Sequence, residues 1–247
     1  MITVLAVHFA VAAVAPFLFR KFGRSSFYAL AAVPAGSFVW LLLQHGAVYS
    51  GAGTGPAEVL PWIPELKVEL AFRMDALAWV MSLLVLGVGA LVLVYCARYF
   101  KDKDDYLGGF GAQLLAFAGV MFGLVTADDL LLMFIFWELT TVLSYLLIGY
   151  ARTRLSARRS ALQALVVTTA GGLAMLVGLI ILGFNAGTYR ISAILEEAPA
   201  LVTGPASGAV TAAVVLILIG AITKSALVPF HFWLPGAMAA PTPVSAR

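Results

Sequence analysis

Seven stretches of this chain stay apolar for about 20 residues at a time, the length a helix needs to cross the hydrocarbon layer of a membrane. They cover residues 2–19, 27–44, 76–97, 107–126, 130–150, 161–184 and 209–229. In hydrocarbon each backbone N–H and C=O must be satisfied within the segment, so every stretch is expected to be a helix. The composition agrees, because only 11% of the 247 residues are charged and 62% are apolar. A soluble domain would carry about 25% charged residues. Most of the surface must therefore face lipid, which excludes a disordered chain and a nucleic-acid-binding one. The expected fold is all-α, a polytopic membrane bundle of about seven helices. Only a tight turn at Asp128-Asp129 separates the fourth and fifth spans, which predicts an antiparallel hairpin.

The start, Met1-Ile2-Thr3-Val4, lacks the basic region and small-residue cleavage site of a signal peptide, so the first span is expected to stay in the mature protein. The lone cysteine, Cys96, excludes a disulfide framework and reads as a small apolar helix residue. Loop charges give a direction. Arg20, Lys21 and Arg24, then Arg98, Lys101 and Lys103, then Arg152, Arg154, Arg158 and Arg159 fall on one side, against Lys67, Arg73 and Arg190 on the other. Basic loops stay in the cytoplasm, which places the amino terminus outside. Two outer segments have periods of their own. Glu65-Leu66-Lys67-Val68-Glu69-Leu70-Ala71-Phe72-Arg73 alternates and follows Pro61 and Pro64, predicting a small hairpin or an edge strand between the second and third spans. Ile191-Ser192-Ala193-Ile194-Leu195-Glu196-Glu197 has the spacing of a short surface helix.

Once the loop charges are assigned, Glu138 in the fifth span and Lys224 in the seventh remain inside. At 1.5 Å per residue, Glu138 lies about 13 Å into its helix, near the middle of the layer. Lys224 precedes Pro229 and Pro235, which remove backbone donors and push against the carbonyls of Ser225 and His231, so the seventh helix is predicted to break at Pro229. Broken helices occur at membrane depth only under the cover of protein or a water-filled cavity. A central charge costs about 2.5–3.5 kcal/mol on insertion scales, and such residues commonly serve function. Burial disfavours the charged form of either group and a close opposite charge restores it. The distance between acid and base would thus decide which holds a proton. Two readings stay open here, a proton-transfer pair and a static ion pair that fixes two helices.

Thr141 and Tyr145 follow Glu138 at i+3 and i+7, a face that suits a hydrated lining or, for the threonine, bonding to its own backbone. His231 comes seven residues after Lys224 and could relay protons or satisfy the helix break. His8 and His45 read as structural or interfacial. Gly119 and Gly123 form a GxxxG packing pair, and Asp128 and Asp129 read as solvated helix caps. No phosphate loop, metal-ligand cluster or nucleophile–base signature appears. No enzyme chemistry, cofactor or metal is expected.

The segment Phe136-Trp137-Glu138-Leu139-Thr140-Thr141-Val142-Leu143-Ser144-Tyr145-Leu146-Leu147-Ile148-Gly149-Tyr150 resembles the fifth helix of proton-translocating antiporter-like subunits. Within that superfamily, the run from Phe230-His231-Phe232-Trp233-Leu234-Pro235 to Pro241-Thr242-Pro243-Val244-Ser245-Ala246 is similar to the large A subunit of Mrp-type multisubunit sodium/proton antiporters. The homologous subunits of respiratory complex I are the next match. The resemblance implies that Glu138 is the glutamate and Lys224 the lysine of the proton path, with His231 following the break. It implies partners among other Mrp-type subunits, protons and sodium ions as transported species, and a bacterial inner membrane. Residues 1–106 would be the amino-terminal helices, and 107–247 the first half of the translocating repeat, one half-channel without its exit. The rivals are a pumping subunit of a complex I-like oxidoreductase and a non-transporting scaffold.

Overall fold

The computed structural model describes every residue except 50–54, 64–67, 102–105, 152–153, 239 and 246–247. Lys67, Lys103 and Arg152, the opening of the alternating segment with Pro64, Ala239 and Ala246 of the motif that runs from Phe230 to Ala246, and Arg247 after it thus lie outside the described residues. The described chain is mostly helical: α1 (Ile2–Phe22), α2 (Ser26–Leu43), α3 (His45–Tyr49), β1 (Ala57–Ile63), β2 (Val68–Arg73), α4 (Ala76–Tyr99), α5 (Leu107–Thr126), α6 (Leu130–Ile148), α7 (Leu155–Ala186), α8 (Ile191–Thr203), α9 (Ser207–Lys224), a 3-10 turn (Phe230–Trp233), α10 (Leu234–Ala237) and α11 (Thr242–Ser245). The two strands pair in a two-stranded sheet.

Six helical runs among the described residues are long and apolar enough to cross a membrane, and the first, Ile2–Leu43, contains both α1 and α2. Gly23 divides them at a positive φ of 55°, where a side chain would be strained. Outward faces of these runs carry large apolar side chains, such as Leu43, Leu91 and Phe184, each more than two-thirds exposed within this chain. Such surface is stable only against lipid or further protein.

The chain packs as two compact units. The first comprises Met1–Glu58, Phe72–Thr126 and Pro241–Arg247. Here Gly108 and Gly111 of α5 face Pro16 and Phe19 near the end of α1, while Gly119 faces His8 near its start, so α1 and α5 run antiparallel. Trp79 Nε1 at the start of α4 donates to the Leu41 carbonyl at the end of α2, and Arg98 Nε at the end of α4 donates to the Tyr28 hydroxyl at the start of α2. Phe19, Phe27, Phe100 and Phe110 close the common end with ring centroids 4.7–6.4 Å apart. Together these contacts make α1 and α2 a hairpin. A methyl added at Gly119 would sit 2.8 Å from His8 Cβ. Since that neighbour is the stiff root of a buried side chain, Gly119→Ala should destabilise by about 1–3 kcal/mol. Thermal unfolding of the detergent-purified protein would register it, and an unchanged midpoint would contradict the packing.

The second unit comprises Val59–Ala71 and Ala127–Ala240. Gly149 meets Ala161 and Gly172 meets Glu138, making α6 and α7 antiparallel. Gly178 meets the Ala213 carbonyl and Gly220 meets Met175, making α7 and α9 antiparallel as well. A core of Leu130, Met175, Leu179 and Ile194 holds α6, α7 and α8 together, with Trp137 and Ile217 packed on it. The surface-helix pattern at 191–197 extends to Thr203 as α8, capped at its start by Asp128, which accepts from Ser192 N and Oγ at 2.9 and 2.7 Å.

Candidate functional site

The apolar run read as 209–229 leaves the helix five residues before its proline, because α9 ends at Lys224. Were the helix to continue, Pro229 could not donate to the Ser225 carbonyl and its ring would crowd that oxygen. Ala226 takes a left-handed φ of 51°. The loosened end is held elsewhere, since the Thr223 carbonyl accepts from Ala226 N at 3.3 Å and from Trp233 Nε1 at 3.0 Å. Lys224 is therefore the last helical residue, a position where the helix dipole favours a cation.

From there its side chain reaches α6. Lys224 Nζ donates to Thr141 Oγ1 at 2.5 Å and to the Trp137 carbonyl at 3.1 Å, and lies 5.2 Å from the centre of the Trp137 ring. Two lone-pair oxygens and a π face surround the nitrogen, an environment that suits an ammonium. The same carbonyl accepts the Thr140 hydroxyl at 2.7 Å.

Glu138 projects from the next position toward α7. A Cβ at Gly172 would collide with Glu138 Oε1, and one at Gly171 would collide with Thr223 Oγ1. The adjacent glycines thus let α7 lie between α6 and α9, so that acid and base approach from its two sides. They do not touch: the ammonium is held by Trp137 and Thr141, and Glu138 Oε1 is buried without a hydrogen bond from any described residue.

The remaining candidates lie apart. Tyr145, one turn beyond Thr141, lines a cleft of about 400 Å³ with Leu146, Gly149, Arg158 and Ala161. His231 is exposed in the 3-10 turn, and Pro229 and Pro235 flank that turn. Among the described residues no group of three His, Cys, Asp or Glu could hold a metal ion.

The Asp128-Asp129 turn departs from the solvated caps expected of it. Asp129 does cap α6, accepting from Leu131 N and Leu132 N at 2.9 Å, yet it is 2% exposed. The cover is backbone pairing, with Leu130 N donating to the Tyr189 carbonyl at 2.8 Å and Ile191 N to the Asp128 carbonyl at 2.9 Å. Burial pushes the Asp129 carboxyl above its ordinary value, against the pull of the Leu132 and Leu131 N–H groups. Beside it, Arg190 pairs with Glu69 at 2.8 Å, on the wall of a cleft of about 490 Å³.

Trp137, Gly171, Gly172, Thr223 and Trp233 escaped the sequence reading as site residues. For the glycines a signal existed, a doublet in the middle of an apolar span.

Helices of membrane-crossing length that enclose an untouching carboxylate and amine define a class: multi-pass helical membrane proteins with an ionisable centre. Residues 127–246 match the sequence profile of the NADH:quinone oxidoreductase/Mrp antiporter transmembrane family, and residues 61–110 that of the amino-terminal region of complex I chain 5. The chain belongs to this antiporter-like family. It is 38% identical over 240 residues to the Na(+)/H(+) antiporter A subunit of Alkalihalophilus pseudofirmus, an alignment covering 96% of this chain and 29% of that protein. To the probable K(+)/H(+) antiporter A/B subunit of Rhizobium meliloti it is 49% identical over 187 residues, 76% of this chain and 18% of that protein. Among solved structures, the Mrp complex from a Dietzia species matches with a TM-score of 0.87 at 37% identity, over 99% of this chain and 26% of that one. The chain thus spans less than a third of the length of these relatives.

Proposed function

We propose that this chain is the amino-terminal part of the A subunit of an Mrp-type antiporter and contributes a proton half-channel centred on Glu138 and Lys224, with sodium efflux driven by proton entry. The observation that carries the reading is the ammonium of Lys224 seated on α6 within a turn of a half-buried Glu138, whose buried Oε1 accepts no hydrogen bond from the described residues. An ammonium and a carboxyl this near, in helices of spanning length, can each change protonation when their separation changes. His231 would hand protons on beyond the helix break, and Thr141 and Tyr145 would line the path. Residues 1–106 serve as the amino-terminal helices and 107–247 as the first half of the translocating repeat. The bundle crosses a bacterial plasma membrane seven times, α1 and α2 counting separately, with the amino terminus outside, as the ten basic residues on one set of loops favour.

The test is exchange by the full-length subunit in complex with its companions. In everted vesicles carrying a proton gradient, added sodium should collapse the gradient, read by a pH-sensitive dye. A response to potassium alone would reassign the cation while keeping the antiport. Copurification with small hydrophobic subunits supports the reading, whereas flavin and iron–sulfur partners would move the chain to an oxidoreductase, where the same pair pumps protons. A complex that assembles but exchanges neither cation would mark the chain as scaffold.

A further inference from the structure

Two acceptors on α6 compete for one ammonium, and the one that holds it here is not the carboxylate. Thr141 and Trp137 are one turn apart on α6, so the Thr141 hydroxyl and the Trp137 carbonyl point along the same stripe. Thr141 Oγ1 also donates weakly to that carbonyl at 3.4 Å, and its lone pairs remain free to accept. The shorter contact, 2.5 Å, is to Lys224. Of the ionisable groups on α6, Glu138 turns its carboxyl against Gly172 of α7 and Tyr145 lies one turn beyond Thr141, while His231 of the 3-10 turn is exposed.

We propose that Thr141, with the Trp137 carbonyl, is a positioning residue that berths the Lys224 ammonium about one turn from Glu138, so that the lysine has two stations on α6 rather than one. The inference rests on the Glu138–Lys224 reading above and deepens it. With the ammonium berthed, the Glu138 carboxylate can take one proton from hydronium, giving the carboxyl and water, without first giving up an ion pair. When the carboxyl returns that proton to water as hydronium, the carboxylate again competes with the berth for the ammonium, so the lysine can stand at either station. The berth needs a hydroxyl at position 141, and the methyl group of threonine is incidental to it.

That distinction sets the experiment. Thr141→Val keeps the shape and removes the hydroxyl, while Thr141→Ser keeps the hydroxyl and removes the methyl. Both are made in the full-length subunit within its complex and compared in the vesicle assay with Glu138→Gln and Lys224→Ala. The expected result is exchange reduced about tenfold or more by valine, in line with loss of a charge-assisted hydrogen bond, and within about twofold of wild type with serine. Should valine weaken assembly, Thr141→Ala supplies a second hydroxyl-free variant for the same comparison. Wild-type exchange without the hydroxyl, while Glu138→Gln and Lys224→Ala abolish it, would overturn the berth and leave the acid–base pair standing. Equal losses with valine and serine would also overturn it, by showing that shape matters and the hydroxyl does not. Exchange that survives all four substitutions would end both the berth and the reading beneath it.

Discussion

Replacing Glu138 with glutamine in the full-length subunit is expected to cut cation/proton exchange by on the order of 10²-fold or more, the usual scale for losing a positioned proton carrier, while the complex still assembles. Glutamine fills nearly the same space beside Gly172, so packing against α7 is kept. What disappears is the group that can switch between charged and neutral. Lys224→Ala should abolish exchange as thoroughly, for a different reason: it empties the contacts to Thr141 and Trp137 and removes the amine itself. A scaffold would behave in the opposite way. There, losing either partner of a buried polar set would weaken assembly first, and blue native electrophoresis of the membranes would show missing complex rather than silent complex. Intact complex with unimpaired exchange in both variants would remove the pair from the mechanism altogether.

The pair was legible in the sequence because hydrocarbon leaves a charge few excuses: after the loops are assigned, Glu138 and Lys224 stand out by residue type alone. The helices were legible for the same reason, since apolar length by itself implies backbone satisfied within the segment. Their ends were harder to place. The apolar run continues through Leu227 and Val228, but the helix ends at Lys224, five residues before a proline that a continuous helix would not tolerate. Thr141 could be placed on the Glu138 face by spacing, yet its partner lies 83 residues away on another helix, and spacing within one helix says nothing of that. The Trp137 carbonyl was invisible, since every residue has one and only the fold decides which faces a cation. Asp129 carried the right residue type for a cap, but its burial comes from pairing with Tyr189-Arg190-Ile191, a long-range contact without a local signature.

The glycine doublet in α7 separates two ways of damaging the site, and its two members should fail differently. A methyl at Gly171 meets Thr223, where Cβ and Cγ2 as well as Oγ1 stand in the way. A threonine root cannot swing aside, so α9 has to move away from α7, and Lys224 one residue on moves with it. Gly171→Ala should therefore cost about 1–3 kcal/mol of stability and also take exchange down by tenfold or more, because the ammonium is dragged off Thr141. A methyl at Gly172 meets only the far end of Glu138, Oε1 first and the carboxyl carbon at 3.2 Å. That end is flexible and can rotate away, so Gly172→Ala should leave the melting temperature of the complex nearly unchanged while lowering exchange, since the carboxyl is turned out of its place beside the lysine. Melting curves and vesicle exchange on the same two preparations decide it. If Gly172→Ala proves the less stable of the two, or if Gly171→Ala exchanges normally, then α7 is not the spacer that sets the distance between acid and base, and that distance must be governed by the α9 break instead.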